Sequence, residues 1–493
     1  MNDLLHELND SQREAVKDFA SPTLVIAGAG SGKTRVLTYR IAYMLQQGVQ
    51  PFSILTLTFT NKAAREMKDR IAGLVGFHTA GRLWMGTFHS VFSKILRYES
   101  ASTGYPPDYT IYDSADSKNL IKTIIHELKL DDKTYKPSEV QSRISLAKNN
   151  LVTAEAYAAN NEIQAIDNSH RRPRITDIYI RYAARCQRAG AMDFDDLLLN
   201  TSLLFRDHPA VLDKYRNAFR YILIDEYQDT NYAQYIILRK LSEEHKNICA
   251  VGDDAQSIYS FRGAKIENIL KFQTDYPDSR IIKLERNYRS TQNIVNAANC
   301  VISNNKEQIS KKIFSEKEEG NKIKLLEART DNEEGYNIAG IIKDLMYARQ
   351  LRYRDFAILY RTNAQSRIFE ESLRKMNIPY KVYGGMSFFQ RKEVKDALAY
   401  FRFVLNPADD ESLKRIINYP LRGIGKTTIA KVEMLAQTAD KTMWDILNDT
   451  SVLQNEFNKG TLQKLTSFTE LIKQYREKAG EMEAFDLAYT IAS

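Results

Sequence analysis

The chain has 493 residues, 43% hydrophobic and 27% charged, with 70 Lys plus Arg against 62 Asp plus Glu, a net charge of +8. That length holds about three domains with sizeable cores, the composition excludes a disordered or fibrous chain, and the mild basic surplus points to a polyanionic partner. Cys186, Cys249 and Cys300 fit neither a disulfide framework nor a metal site. With no signal-peptide pattern and no run of about 18 apolar residues, a reduced cytoplasmic protein without a membrane segment is expected.

In chain order, "TLVIA" (23–27), "ILTLTF" (54–59), "YILID" (221–225) and "ICAVGD" (248–253) read as buried parallel strands, because each is a short β-branched or apolar run ending in polar residues. "RVLTYRIAYML" and "NKAAREMKDRIAGL" between the first of them have helical period and read as crossovers. The pattern is α/β, whose chemistry gathers at strand carboxyl ends. Between 111 and 189 the strand signal vanishes and a helical insertion is expected. Its "HRRPRITDIYIRYAARCQR" carries six arginines against Asp177, which suits either a solvated helix face or a phosphate-tracking surface. A second α/β pattern is expected from 281, with strands at "RIIKLE", "KIKLLEA", "FAILY" and "YKVYGG"; after 412 the chain reads as helix to its end.

Three stretches carry chemistry. "AGAGSGKT" (Ala27, Gly28, Ala29, Gly30, Ser31, Gly32, Lys33, Thr34) lies between a strand and a helix, where glycine-loop N–H groups and the helix dipole hold phosphates. Lys33 would reach the β- and γ-phosphates and the Thr34 hydroxyl would ligate Mg²⁺. The strict pattern wants glycine at Ala27, where alanine still allows the turn. "YILIDEYQDTN" ends an apolar strand in Asp225 and Glu226, suited to holding Mg²⁺ and to activating water as a general base. "TFTNK" and "SIYSFRG" put Phe59, Tyr259 and Phe261 in strand-terminal loops, where bases of any sequence can stack, although Phe59 also suits a core position.

Together "LNDSQREAV" (8–16), "AGAGSGKT", "LTFTNKAAREM" (57–67), "GTFHS" (86–90), "LIDEYQDTN" (223–231), "VGDDAQSIYSFRGA" (251–264) and "LERNYRS" (284–290) resemble, in order, the motifs of superfamily 1A DNA helicases of the UvrD/PcrA/Rep type. The resemblance continues through "ILYRTNAQSR" (358–367) and "PYKVYGGMSFFQRKEVKDALAYFRFVLNP" (379–407) and so covers nearly the whole chain. It implies two RecA-like P-loop domains, each carrying a mainly helical insertion: 1–110 with 190–280 as the ATP-binding domain, 111–189 as its insertion, 281–383 as the first part of the second domain and 384–493 as a partial second insertion.

By the same resemblance Gln12 reads the adenine edge, Tyr288 stacks on the adenine, and Arg35 joins the ATP site. Arg262 and Arg289 fork onto the γ-phosphate, and Gln256 senses it or positions water. Thr60, Asn61, Thr87, His89 and Asn363 lie along single-stranded DNA, with Lys62 and Arg361 on phosphates. Phe261 stands where the family has tryptophan. "RGIGKTT" (422–428) fails as a second phosphate loop, since Pro420 takes the first glycine's place; it is similar to a helix–hairpin–helix turn whose Arg422, Gly423, Gly425 and Lys426 grip duplex phosphates, or else it is a plain helix connection. The implied protein is a monomeric ATP- and Mg²⁺-dependent 3′→5′ helicase acting on single strands and junctions in repair or replication restart. Two other readings stand beside it, an AddA/RecB-like helicase–nuclease subunit and a non-catalytic ATP-regulated DNA-binding module. The family's last two motifs are not found before Ser493, so the chain reads as an N-terminal fragment that alone is expected to be nearly inactive.

Overall fold

The computed structural model describes residues 4–306, 308–384 and 388–492, with the side chain of Arg262 outside the described set. The chain forms two compact units: one of residues 1–320 with 402–487, the other of residues 321–401 with 488–493.

The first unit is built on a sheet. Its strands, with two pairs set apart from it, are β1 (Thr23–Ala27), β2 (Ile54–Thr58), β3 (Trp84–Thr87), β4 (Thr110–Tyr112), β5 (Ala191–Asp193), β6 (Tyr221–Ile224), β7 (Ile248–Gly252), β8 (Arg280–Leu284), β9 (Arg286–Asn287) and β10 (Phe314–Ser315). Six of them make a sheet in the order β3-β2-β6-β7-β1-β8, every pairing parallel. Side chains alternate strictly between its faces: Leu24 and Ile26 enter one core with Leu55, Leu57, Ile222 and Ile224. Val25 and Ala27 enter the other with Ile54, Leu223, Cys249 and Val251. Both faces are covered by helices, which is why these strands are apolar runs rather than alternating ones.

The segment between β4 and β5 is helical, and its ends are stitched. β4 and β5 pair in parallel, Thr110 opposite Ala191, at its entry and exit. Between them helices such as Ser114–Glu127, Pro137–Asn149 and Ile175–Arg188 enclose their own core of Ile121, Ile124, Val140, Ile178 and Tyr182. Four of the six arginines noted in the sequence are ion-paired, Arg172 to Glu139, Arg174 to Asp177, Arg185 to Glu127 and Arg188 to Asp440, which favours the paired, solvated face over a phosphate track.

Two expectations are corrected. "RIIKLE" does not open a second sheet: β8 is the edge strand of the first, paired along β1 from Thr23–Arg280 to Ala27–Leu284. In the second unit, "KIKLLEA", "FAILY" and "YKVYGG" form no strand among the described residues. A strand needs a neighbouring strand to take its backbone groups, and among the described residues these runs pair with none, with Leu325 86% and Leu359 93% exposed. What packs there is the helix pair Asp331–Arg349 and Ser366–Lys375, through Ala339, Ile342, Leu373 and Ile378.

After 412 the described chain is mainly helical, in helices joined by short turns, and residues 402–487 pack in the first unit. Asn406 donates to the carbonyls of Ala189 and Gly190 at 2.8 and 3.1 Å, and the Tyr112 hydroxyl donates to Asp409 at 2.9 Å. No helix of the described residues is long and apolar enough to cross a membrane.

Candidate nucleotide and nucleic-acid sites

Because all six strands run the same way, the loops after β1, β2, β3, β6 and β7 leave the sheet at one edge. The loop after β1 closes over glycines that alone tolerate its path: Gly30 and Gly32 sit at φ +69° and +92°. Gly32 caps the helix Lys33–Gln46, and Ser31 returns its hydroxyl to the Gly28 carbonyl at 2.7 Å. Thr34 follows Lys33 in the first turn. The Lys33 ammonium reaches Glu226 at 3.7 Å.

Asp225 ends β6 almost fully buried, at 4% exposure. Burial first, and the neighbouring Glu226 second, push its carboxyl up to about 7 against the pull of Lys33. A group so short of positive charge suits a cation. With the Thr34 hydroxyl, it offers the hard oxygen donors that Mg²⁺ prefers. Glu226 itself holds a left-handed backbone, φ 51° and ψ 44°, rare outside glycine and asparagine and typical of residues held for function.

A line of side chains extends from that carboxylate. Gln228 donates to Glu226 at 2.9 Å and accepts from the Asp253 N–H at 3.0 Å; Asp253 in turn accepts from Gln256 at 2.6 Å. Lys311, buried at 6% exposure, clamps Asp253 and Asp254 at 3.1 and 2.5 Å. Gln256, expected to sense the γ-phosphate or position water, is linked to Glu226 through Asp253 and Gln228, while Gln228, Asp253 and Lys311 were not read from the sequence. Gln228 and Asp253 lie inside motifs already singled out; Lys311 carries no local pattern.

The residues expected on the adenine side are brought together. Gln12 and Asn9 form a reciprocal cap on the helix Asp10–Lys17, and the Gln12 amide donates to the Ser31 carbonyl at 3.0 Å. Asn9 donates to the Tyr288 hydroxyl at 2.7 Å, and the Tyr288 N–H to the Gly30 carbonyl at 2.9 Å. Asn287, unnoticed between its louder neighbours, clamps the Ala29 carbonyl at 2.7 Å and turns the chain so that exposed Arg289 lies against Gly30. Arg35 pairs with Glu7 at 2.8 Å instead of facing the loop. Arg262 has its side chain outside the described residues.

On the same sheet edge, Phe59, Thr60, His89, Tyr259 and Phe261 line one groove of about 420 Å³. Tyr259 and Phe261 are 37% and 74% exposed, their rings 5.9 Å apart. Phe59 is half-buried 5.4 Å from Phe88, so it serves core and groove together. The half-exposed Phe194, at the start of the helix Phe194–Asp207, closes the groove's far wall 5.7 Å from the His89 ring. Its signal was an aromatic set among aspartates in "DFDDL", which composition alone does not flag. Burial pulls the His89 imidazole down to about 4 despite Asp193, so it is neutral. Thr60 and Thr87 cap the helices Asn61–Val75 and Phe88–Tyr98, Asn61 begins the first, and Lys62 lies 79% exposed within 3.8 Å of Glu66.

The remaining expected contacts lie elsewhere. Arg361 and Asn363 belong to the second unit, where the Arg361 N–H donates to Gln365 at 3.0 Å and Asn363 to the Gly384 carbonyl at 3.4 Å. The Arg422 guanidinium is turned inward onto the carbonyls of Ile416 and Tyr419 at 3.0 and 2.9 Å, so it braces its turn and does not offer itself to phosphate. Gly423, at φ +72°, accepts from Lys464 at 3.1 Å, and Gly425 caps the helix that exposed Lys426 begins.

Comparison with known proteins adds two family matches: the UvrD/REP helicase N-terminal domain over residues 8–277 and the UvrD-like helicase C-terminal domain over 282–490. The chain is 44% identical over 490 residues to the ATP-dependent DNA helicase PcrA of Staphylococcus aureus, covering 99% of this chain and 66% of that protein. It is 41% identical over 485 residues to PcrA of Leuconostoc citreum, covering 98% and 64%. The chain therefore spans slightly under two thirds of the length of these relatives. The matches run to residue 490 and lend no support to the expectation of near-inactivity.

Proposed function

This chain belongs to the UvrD/REP helicase family, and from that premise we propose that it is an ATP-driven motor that moves along single-stranded DNA and parts duplex at junctions. The observation that carries the reading is the shared sheet edge. The Lys33–Glu226 pair and the groove residues Phe59, Tyr259 and Phe261 lie in loops and helix starts that follow strands of one parallel sheet, with Phe194 added from the helix after β5. The 3′→5′ polarity, monomeric action, a cytoplasmic setting and a role in repair or replication restart are proposed on the family resemblance.

The chemistry follows from the residues. Phosphates entering the loop meet its N–H groups and compete with Glu226 for the Lys33 ammonium. Once relieved of Lys33, the Glu226 carboxylate is available to take a proton from water, with Gln228 holding its other contact. Thr34 and Asp225 would hold Mg²⁺, which would supply charge neutralisation to the phosphates. A cation held there would favour the ionised Asp225 carboxylate, because its charge would offset what burial costs it. Exposed rings take bases irrespective of sequence.

The test is ATP turnover by the protein with and without oligo-dT, alongside strand separation of duplexes carrying a 3′ or a 5′ tail. Stimulation of at least about tenfold by single strands, a step typical of cooperative coupling between sites, is expected, with 3′-tailed duplex preferred. Turnover indifferent to DNA would refute the reading.

A further inference from the structure

The groove and the base are joined by three consecutive residues that no motif above includes. The helix Pro137–Asn149 of the insertion ends in Lys148-Asn149-Asn150, and each side chain ties a different segment. Lys148, 1% exposed, sits between Asp193 and Asp196 at 2.7 Å each, the two carboxylates that flank Phe194 and Asp195. Asn149 donates to Asp195 at 2.8 Å and accepts from Asn231 at 2.6 Å. Asn150 accepts from Lys265 at 2.9 Å, whose own N–H donates to the Thr230 carbonyl at 3.0 Å. A Cβ on Gly263 would lie 3.8 Å from that of Asn149, so the loop bearing Tyr259 and Phe261 also rests on it.

Asn231 is five residues from Glu226, and the chain between them cannot slacken. Tyr227–Asp229 is a 3₁₀ turn: Asp229 donates to the Glu226 carbonyl at 2.9 Å and Thr230 to that of Tyr227 at 2.8 Å. Gln228 reaches back to the Glu226 carboxylate. One amide therefore lies between the wall of the groove and the turn that carries the base.

We propose that Asn149 is a positioning residue that couples occupation of the Phe194–Tyr259–Phe261 groove by single-stranded DNA to the setting of Glu226, through Asp195 on one side and Asn231 on the other. The inference rests on the reading of these two sites as DNA and ATP sites. Coupling of this kind is a ratio of affinities and is reciprocal, so it is measured at equilibrium without turnover. Asn149, Asp195 and Asn231 themselves line the groove, and Asn149 acts by holding the two segments in one register, which a ratio of affinities reads apart from any loss of DNA affinity.

The test uses the full chain, a fluorescein-labelled oligo-dT and a Mg²⁺-bound non-hydrolysable ATP analogue. For the wild type, the analogue should change oligonucleotide affinity by roughly 5- to 150-fold, the usual span of coupling between sites. Asn149→Leu should bring that ratio within about twofold of one. Its affinity for the analogue alone should stay within about twofold of wild type, and a thermal melt checks its fold. Asn149→Asp alone should fail likewise, since two carboxylates then face each other. Asn149→Asp combined with Asp195→Asn exchanges donor and acceptor and should restore the ratio, while a melt unchanged in all three variants separates the loss of coupling from a loss of fold. Should Asn149→Leu keep the wild-type ratio, or the exchange fail to restore it, the coupling role falls. A wild type that binds both ligands without any coupling overturns it too, whereas a wild type that binds neither overturns the ATP and DNA sites themselves.

Discussion

Replacing Phe261 with alanine separates a ring that serves DNA from one that serves the fold. The ring is 74% exposed, so about a quarter of a phenylalanine side chain, roughly 50 Å², is buried in the fold. At about 25 cal/mol per Å² its removal costs at most ~1.3 kcal/mol of stability. One base–aromatic stack is worth about 1–3 kcal/mol, which is a loss of roughly 5- to 150-fold in affinity for single-stranded DNA. Phe59 behaves differently, because it is packed 5.4 Å from Phe88. Its truncation should cost ~2 kcal/mol or more of stability along with affinity. Fluorescence anisotropy with labelled oligonucleotides of several sequences, paired with thermal melts, reads both quantities. Phe261→Trp should bind at least as tightly as wild type, since the larger face stacks better. If Phe261→Ala and Tyr259→Ala both bind like wild type, or if affinity follows base identity, the groove is not a stacking track.

Lys33→Ala should abolish Mg·ATP binding in calorimetry, since it removes the ammonium that meets the phosphates; unchanged affinity would dismiss it from the loop's chemistry. Glu226→Gln should bind ATP at least as well as wild type, because Lys33 loses its competing carboxylate. Its turnover should nonetheless fall by about 10²-fold or more, and near-normal hydrolysis would take Glu226 out of the base's role. His89, held down to about 4 by burial, is neutral both in the folded chain and when unfolded above its ordinary value near 6.5. DNA affinity should therefore show no step between pH 7.5 and 5.5 from this residue, as His89→Gln would confirm by matching the wild-type profile. Stability should fall as pH drops from about 6.5 towards 4, where the unfolded chain takes up the proton first.

Much of this was legible in the sequence because central parallel strands must be apolar on both faces. "TLVIA", "ILTLT", "YILI" and "ICAVG" could not be anything milder and stay buried. The glycine loop before the helix Lys33–Gln46 and the carboxylate pair that follows β6 stand where the sequence pattern set them. β4 and β5, three residues each, were too short to leave a period. β8 has the pattern of any strand, and nothing local says which sheet it joins. Lys311, Asn287 and Asn149 escaped for a related reason. Their meaning comes from partners 57, 258 and 82 residues away, and an isolated lysine or asparagine reads as surface.

The order of strands in the sheet also sets a timetable. β1, which feeds the phosphate loop, is flanked by β7 and β8, and β8 arrives roughly 260 residues after it. At about 5–20 residues per second of synthesis, β1 waits on the order of 13–50 s for both neighbours. During that interval an apolar strand has two open edges, the condition under which chains pair with the wrong partner. Translation that stalls between β1 and β7 would leave β1 in that condition indefinitely. A nascent chain released before residue 248 should therefore be a client for chaperones, and the ATP loop should become protease-resistant only after Leu284 has cleared the ribosome.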